Sequence, residues 1–435
     1  MARRSKDSPL VAMGFMCGTS LDGVDGSLVV VENGTVRLAA FHESPFPEAL
    51  RKDLKNWISG ESPTGSPSRH MPDIADLLAG LEEELGHRLL EKAGMDFRDL
   101  DCAGTHGITV RHHPFPHRLD FFASSPAIRG VSYQAANPFA LSRAFKTPVV
   151  SQFRGADVAL GGHGAPLAPI LHRALFTGEI PRAFLNLGGI ANLTGLPPEG
   201  SDHAVTAFDT GPGNMLLDLA ISLLTQGAET FDKDGAHARQ GRPDPGLLDW
   251  LLSDPFFSLA PPKSTGREEW GEERLRRILS RKEDLRMASG ASSSPSPPER
   301  IDDLLATLSA LSAEGVSRGL TWLPVPPREI IAGGGGVKNA DLIERIARRT
   351  GLPVVTSEER GFPSQAIESI AFAYLALLSL SGRPGNIPEV TGASGPAVLG
   401  QITPPPEGLD PLLLQDIAAR ADIHLPSPDR PRRTP

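Results

Sequence analysis

Only two cysteines, Cys17 and Cys102, occur in 435 residues, which leaves no disulfide framework and no cysteine-built metal site. That scarcity fits a reducing cytoplasm. No apolar run is long enough to span a bilayer, so no membrane partner is expected. The amino terminus, MARRSKDSPL, is basic but lacks the apolar stretch of a signal peptide. Positive charge is also in deficit: 43 Lys and Arg against 52 Asp and Glu give a net charge of −9. With no basic stripe, the chain does not read as a nucleic-acid binder. A small anionic ligand must then be held locally, by backbone N–H groups, a metal or a few cations. No G-x-x-x-x-G-K-[ST] occurs, so a P-loop is excluded. Aromatic residues make up only 6% of an otherwise globular composition. Glycine (45) and proline (41) are plentiful, so turns and loops are many. The length suits about two or three domains.

The stretch from Gly14 to Asp25, GFMCGTSLDGVD, reads as strand, tight turn, strand. Its turn holds Gly18, Thr19, Ser20, Asp22, Gly23 and Asp25. Glycines let a backbone approach a ligand closely, and N–H and hydroxyl groups there suit phosphate oxygens. The aspartates would repel phosphate unless a divalent cation lay between. An ordinary hairpin turn uses the same residue types.

Val11–Phe15, Ser27–Val31 and Thr35–Phe41 read as three consecutive strands, with Asn33-Gly34 as a hairpin signal. Helical spacing follows over Pro47–Ile58 and Asp73–Lys92, the latter with an apolar face of Ile74, Leu77, Leu78, Leu81, Leu85, Leu89 and Leu90. A strand at Asp101–Thr105 completes a ribonuclease-H-like pattern. His106, His112, His113 and His117 crowd the next segment. Pro114 and Pro116 break any helix and no partner cysteines stand by, so metal is not expected there. The alternatives are a strand-end loop offering His106 and Arg111 to a polar substrate, or a solvated loop.

Pro148–Gln152 reads as a strand leading into FRGADVALGGHGAPL, where Asp157 sits among small and apolar residues as either a helix cap or a base. The pattern of strands starts a second lobe near Arg182: Ala183–Leu187, Gly188-Gly189, Ile190–Leu196, then Ala204–Phe208 ending in Asp209-Thr210-Gly211-Pro212-Gly213-Asn214 before a helix. This turn echoes the first, and two such turns facing each other would bracket a triphosphate and its metal. Asp232–Gly235 and Pro262–Glu268 are charged loops, either surface or cleft lining. Arg286–Glu299 is a low-complexity insert read as disordered. Gly333-Gly334-Gly335-Gly336 follows a strand and suits an adenosine or a plain flexible loop. Ser364–Leu380 reads as a helix with Glu368 near its start, either a first-turn acid or a cleft carboxylate beside Asp157. From Thr403 the chain becomes a Pro-rich tail with an amphipathic piece at Leu412–Ala421.

Taken together, GFMCGTSLDGVD, FRGADVALGGHGAPL, NLGGIANLT, FDTGPGN, PPKSTGRE, the glycine run before Asn339, and NIPEVTGASGPAVLG closely resemble the anhydro-N-acetylmuramic acid kinases. The levoglucosan kinases of yeasts are a similar sister branch. The resemblance spans roughly Val11 to Ile402. It implies an α/β fold of two ribonuclease-H-like lobes around a nucleotide cleft, of the actin, hexokinase and Hsp70 type. Their expected extents are 10–150 plus 364–402 for lobe I and 151–363 for lobe II, with 403–435 as the tail. It implies ATP and Mg2+ as cofactors, an anhydro sugar as small-molecule partner, and a coupled hydrolysis and phosphorylation in the cytoplasm; a homodimer stays open. It implies Asp157 as the base and Glu368 as a second carboxylate. Gly18, Thr19, Ser20, Leu21, Asp22, Gly23, Val24 and Asp25 match the ATP segment. Asp209, Thr210, Gly211, Gly213 and Asn214, with Gly333, Gly334, Gly335 and Gly336, match the second phosphate turn and nucleoside side. Asp22 and Asp209 are the implied Mg2+ ligands, and His106, Arg111, Asn137 and Arg154 the sugar side.

Several positions depart from the family pattern. Cys17 replaces a serine, Ile108 a glutamine, and Gln152 and Gln365 aspartates; Ala136-Asn137-Pro138-Phe139-Ala140 stands where Gly-Asp is usual. These are polar groups on the sugar side, and a lost partner to a buried hydroxyl changes specificity strongly. Levoglucosan or another anhydro sugar is therefore an alternative substrate. A degraded nucleotide-binding sensor or scaffold is a third reading, opposed by the retention of Asp157 and Glu368.

Overall fold

The computed structural model describes residues 9–18, 21–32, 35–59, 70–118, 127–288 and 297–420. The chain divides into unit 1 (1–175 and 366–435) and unit 2 (176–365). The first crossing thus falls after the segment that carries Asp157, not at the expected 150, and the second lies at 365/366.

In unit 1, β1 (Leu10–Met16) is apolar throughout and buried on both faces, as a central strand must be. It pairs antiparallel with β2 (Gly23–Glu32), which pairs antiparallel with β3 (Thr35–Pro45). β2 begins earlier than expected, so Gly23, Val24 and Asp25 lie on the strand and not in the turn. Asn33 and Gly34 lie outside the described residues. β4 (Cys102–Thr105) runs parallel to β1. β5 (Ile108–His113) and β6 (Val131–Ala135) form a separate hairpin sheet, where a loop was expected. β7 (Val149–Ser151) runs parallel to β4.

Unit 2 repeats the pattern. β8 (Arg182–Leu187), β9 (Ile190–Leu196) and β10 (Thr206–Pro212) form an antiparallel meander. β11 (Glu329–Gly333) and β12 (Val354–Thr356) join parallel on the far side of β8. A last short strand, β13 (Gln401–Thr403), returns to unit 1 and pairs with β7. The sheet orders are β13-β7-β4-β1-β2-β3 and β10-β9-β8-β11-β12. Each unit therefore carries a meander of three strands with two parallel strands beside its first. This is the ribonuclease-H-like α/β architecture of the actin, hexokinase and Hsp70 class.

The helix Met71–Ala93 covers one face of the unit 1 sheet and stops at Gly94, whose φ of 67° is a left-handed cap. It buries Ala75, Leu78, Ala79, Glu82, Leu85, Gly86, Leu89 and Leu90, while Leu77 is 45% exposed. The buried stripe is thus rotated from the expected leucine face toward smaller residues. The helix Ile367–Leu380 packs against β1 and β4 so closely that Gly14 and Gly104 touch its backbone, at Ser369 and Phe372. The hydroxyls of Ser27 and Ser369 meet at 2.6 Å in that interface. Among the described residues, no helix is long and apolar enough to cross a membrane. Helices Glu272–Ala288 and Pro297–Leu320 enter the low-complexity insert from both ends; residues 289–296 lie outside the described residues. The tail contains the helix Pro411–Arg420.

Candidate active site

In α/β sheets of this kind ligands gather at the carboxyl ends of the parallel strands. In unit 1 those ends carry the turn after β1, the Thr105-His106 pair after β4, and the segment containing Asp157 after β7. The first turn closes with the Leu21 N–H on the Gly18 carbonyl at 3.1 Å. Leu21 has a φ of 54°, a left-handed position costly for a branched side chain. Thr19 and Ser20 lie outside the described residues. Asp22 is exposed and forms an ion pair with Arg51. Asp25 is half-buried, and its pKa is raised to about 7, by burial first and then by Glu43, Glu368 and Asp22. Asp25 and Glu368 therefore lie close enough to repel.

Asp157 is fully buried in the short helix Gly155–Ala159. One carboxylate oxygen, Oδ1, accepts from Asn386 Nδ2 at 2.8 Å and Thr391 Oγ1 at 2.6 Å. The other, Oδ2, accepts from the Gly164 N–H at 2.7 Å. Gly161 and Gly164 adopt φ of 81° and 68°, which turns the loop back so that this N–H reaches the carboxylate. A Cβ at Gly162 would collide with Oδ2. Asn386 is itself fixed by the Gly395 carbonyl at 3.2 Å and the Ala397 N–H at 2.7 Å.

Arg154 links this loop to the strand end after β4. Its Nε donates to His106 Nε2 at 3.0 Å and its Nη1 to the Gly164 carbonyl at 2.7 Å. His106 is buried against Phe372 and donates from Nδ1 to the Gly107 carbonyl at 2.9 Å. Burial and then the Arg154 charge push its pKa down to about 3, so it is neutral and orients Arg154. Glu368 is solvent-accessible but closely surrounded by protein atoms, which raise its pKa; the Arg154 charge opposes this. Asp157, Arg154, His106 and Glu368 are thus brought together in one unit.

Other sugar-side expectations land elsewhere. Asn137 accepts from the Ala140 N–H at 3.2 Å as the cap of helix Pro138–Phe145, and donates to Asp76 at 2.9 Å. Arg111 lies on the exposed β5 edge, 3.3 Å from His117 Nε2. His112 pairs through Nδ1 with Ser132 Oγ at 2.9 Å. Its pKa is lowered by partial burial and then by Arg154, His163 and His113. Gln152 bonds both ways with the Gln134 backbone, tying β6 to this loop.

In unit 2 three segments converge. The N–H groups of Gly213 and Asn214 donate to the carbonyls of Gly189 and Gly188 at 2.8 and 2.9 Å. Gly336 lies against the Asn214 side chain and Leu187, and Gly334, with φ of 82°, against Asn186 and Leu187. β10 runs further than expected, so Asp209 to Pro212 lie on the strand, with an irregular register between Asp209 and Gly211, and only Gly213 and Asn214 turn. The β8–β9 turn, this strand end and the glycine run Gly333–Gly336 therefore share one end of the sheet. Gly335 is exposed with no heavy atom within 4 Å of a Cβ built there, so its backbone faces open space. Thr210 is buried, its hydroxyl on the Ala191 carbonyl at 3.1 Å. The loop Pro262–Glu268 lines this end: its Lys263 carbonyl accepts the Asp209 N–H at 3.1 Å, and the Thr265 N–H donates to Asp209 Oδ2 at 2.9 Å. Burial raises the Asp209 pKa to about 6, opposed by the Thr265 bond and Lys263. One Asp209 oxygen is left with no protein partner among the described residues, which suits a hard cation. Asp22, engaged with Arg51, suits it less.

Sequence reasoning missed Asn386, Thr391 and Thr265 as partners of the two aspartates, although all three lie in quoted motifs. It missed Glu82 altogether. Glu82 is fully buried, with Oε1 accepting from Thr105 Oγ1 at 2.7 Å and Oε2 without a partner among the described residues. Its charge reaches Cys17, whose pKa is pushed up by burial and then by Glu82. Burial drives the Glu82 pKa up to about 8. A raised folded-state value means that its contribution to stability is full below the ordinary carboxylate range and is lost as pH rises through about 8. Glu82→Gln, neutral at every pH, is expected to flatten the fall in the urea midpoint across that interval; an unchanged slope would show that Glu82 does not titrate there.

Comparison with known proteins agrees with this architecture. The family model described as anhydro-N-acetylmuramic acid kinase matches residues 10–405. A protein of that name from Cupriavidus pinatubonensis is 39% identical over 398 residues, covering 90% of this chain and 98% of the relative. One from Salinibacter ruber is 37% identical over 415 residues, covering 93% and 98%. One from Caldanaerobacter subterraneus is 36% identical over 413 residues, covering 92% and 98%.

Proposed function

Because this chain belongs to the anhydro-N-acetylmuramic acid kinase family, we propose that it is an ATP-dependent phosphotransferase that opens 1,6-anhydro-N-acetylmuramic acid with water and phosphorylates it at O6. Water attacks the anomeric carbon and loses a proton to Asp157. The bond from that carbon to the bridging oxygen breaks, and the freed O6 takes the γ-phosphoryl of ATP, leaving ADP. The chemistry follows an inverting glycosidase, with phosphoryl in place of a proton on the leaving oxygen.

The observation that carries this reading is the holding of Asp157. Its Oδ1 is saturated by two side-chain donors, while Oδ2 has one backbone donor and keeps a lone pair for a proton. Because the carboxylate is closed to solvent, access comes with a conformational step on binding. Glu368, set against Arg154 and Asp25, helps hold the water or sugar. Within unit 1, the segment from Gly18 to Asp25 is a phosphate-binding candidate; within unit 2, the segment from Asp209 to Asn214 and the glycine run are candidates for phosphate and nucleoside. Asp209 is the side chain that fits Mg2+ best, and the ion supplies charge neutralisation at the phosphates.

Release of ADP by the purified chain, measured with 1,6-anhydro-N-acetylmuramic acid, levoglucosan and no sugar, tests the proposal. Turnover with the muramic sugar is expected. Turnover with levoglucosan alone would reassign the substrate, and none with either sugar would leave a nucleotide-binding protein without this chemistry.

A further inference from the structure

The segment that holds Asp157 also walls a separate space. A cavity of about 630 Å3 in unit 1 is bounded by Ile170 and Arg173 of helix Pro169–Phe176, by Tyr374 and Leu378 of helix Ile367–Leu380, and by the segment from Arg383 to Glu389. Small-molecule sites run from about 300 to 1,000 Å3, so the space suits a molecule of sugar size. Arg154, His106 and Glu368 do not line it, so it is not the site described above. Its polar groups are few and uncommitted. Tyr374 is 8% exposed, yet its hydroxyl has no hydrogen-bond partner among the described residues. A buried phenol usually finds a partner, and this one lines the cavity. Arg173 is exposed and makes no hydrogen bond or ion pair among the described residues. Arg383 donates from Nη2 to the Ala418 carbonyl at 3.4 Å. Burial raises the Tyr374 pKa and the charges of Arg173 and Arg383 oppose this, so the phenol keeps its proton at neutral pH and both guanidinium groups act on it. Glu389, the one acid of the lining, is exposed and also unpaired among the described residues. Pro384, Pro388 and Pro396 add a stiff apolar surface.

Two guanidinium groups and a phenol donor call for an acidic group, and guanidinium forks match carboxylate and phosphate. One carboxylate acceptor and the proline surface suit the hydroxyls and carbon face of a sugar. We propose that this cavity is a second ligand site for a small hydroxylated anion, a sugar acid or a sugar phosphate, with Arg173, Arg383 and Tyr374 on the acidic group and Glu389 on a hydroxyl. The wall of the cavity and the holder of the base are one stretch of chain. Asn386 lines the cavity and donates to Asp157 Oδ1. The short helix Pro388–Thr391 presents Pro388 and Glu389 to the cavity and Thr391 Oγ1 to that same oxygen. A ligand that draws Glu389 inward moves the helix that carries Thr391, and occupancy lowers kcat. That link, though not the site, rests on the reading under Proposed function.

Calorimetric titration of the full chain with glucose 6-phosphate, glucuronate and glucose, without nucleotide, tests the site. At least one anion is expected to bind, and glucose at least about tenfold more weakly, since the charge-assisted hydrogen bonds are lost. Binding of glucose 6-phosphate alone assigns the acidic group as phosphate, and of glucuronate alone as carboxylate. Arg173→Gln is expected to weaken the anion about tenfold or more and Tyr374→Phe about fivefold. The Tm of Arg173→Gln should match that of the unaltered chain, because its side chain is exposed. The site is overturned if neither anion binds, if glucose binds as well as the anions, or if Arg173→Gln leaves anion affinity unchanged. In the ADP-release assay the bound anion is expected to lower kcat about tenfold, the rate equivalent of one hydrogen bond to Asp157, and Arg173→Gln to remove that effect. Binding with kcat unchanged overturns the link to Asp157. Calorimetry needs no turnover, so a chain that turns over neither anhydro sugar sinks the reading under Proposed function and leaves the test of the site intact.

Discussion

Asp157→Asn is expected to lower kcat by about 1,000-fold, within the range that a positioned general base contributes, while nucleotide affinity stays within about threefold, since such a change spends under 1 kcal/mol of binding. The asparagine is isosteric, so Oδ1 still accepts from Asn386 and Thr391. The altered atom faces the Gly164 N–H in place of Oδ2. Two donors then meet, and an unsatisfied buried N–H costs about 1–3 kcal/mol. The variant should therefore melt earlier yet fold, and single-turnover measurement below its melting temperature separates lost chemistry from lost structure. Thr391→Val removes one donor and keeps the base; it should lower kcat by about tenfold, the rate equivalent of one net hydrogen bond. Retention of more than a tenth of kcat by Asp157→Asn would show that the carboxylate only locks its loop. Lost nucleotide binding would show that Asp157 belongs to the ATP side.

The difference between those outcomes follows what the sequence made readable. Alternating apolar runs broken by glycine and aspartate announce themselves locally, so the meanders were legible, but their strand ends were not: Gly23–Asp25 lie on β2 and Asp209–Pro212 on β10. The partners of Asp157 were not legible either. Asn386 and Thr391 stand 229 and 234 residues further along, and nothing short of the fold brings them back. The first unit boundary was illegible for the same reason. β7 belongs to unit 1 because it pairs in parallel with β4, and a parallel register leaves no mark in the intervening sequence. Helix Met71–Ala93 shows another limit. Counting leucines selects a face that includes Leu77, whereas the sheet takes Ala75, Ala79 and Gly86, because a close helix needs small residues there. Glu82 lies in that stripe and cannot be distinguished by spacing from a solvated acid. Asn137 was assigned to the sugar side through its place in a motif, and its side chain serves as a helix cap, a role that N-cap statistics alone support.

Close packing is also the basis of the second large effect. Gly14→Ala is expected to destabilise unit 1 by about 3 kcal/mol or more, at the upper end of what overpacking costs, lowering Tm by roughly 6–12 °C for a unit of this size. The added Cβ meets the Ser369 carbonyl oxygen and the Ala373 N, which are backbone atoms of helix Ile367–Leu380 and cannot rotate aside. Relief requires the helix to move off β1, and Glu368 stands one residue before Ser369. The displaced carboxylate would change its distance to Arg154 and Asp25, so the fraction that remains folded should also show reduced kcat. Gly104→Ala meets Phe372 on the same helix and should act alike. Gly80→Ala is the opposite case: it lies in helix Met71–Ala93 with nothing within 4 Å of its added Cβ, and should stabilise by about 0.5–1 kcal/mol through helix propensity. The contrast separates a steric cause from any general intolerance of substitution. If Gly14→Ala melts with the unaltered chain, the helix has room that the packing does not show, and Glu368 is not held by the sheet beneath it. If it melts early yet keeps full kcat in the folded fraction, the sheet holds the helix but the exact position of Glu368 is not what the chemistry depends on.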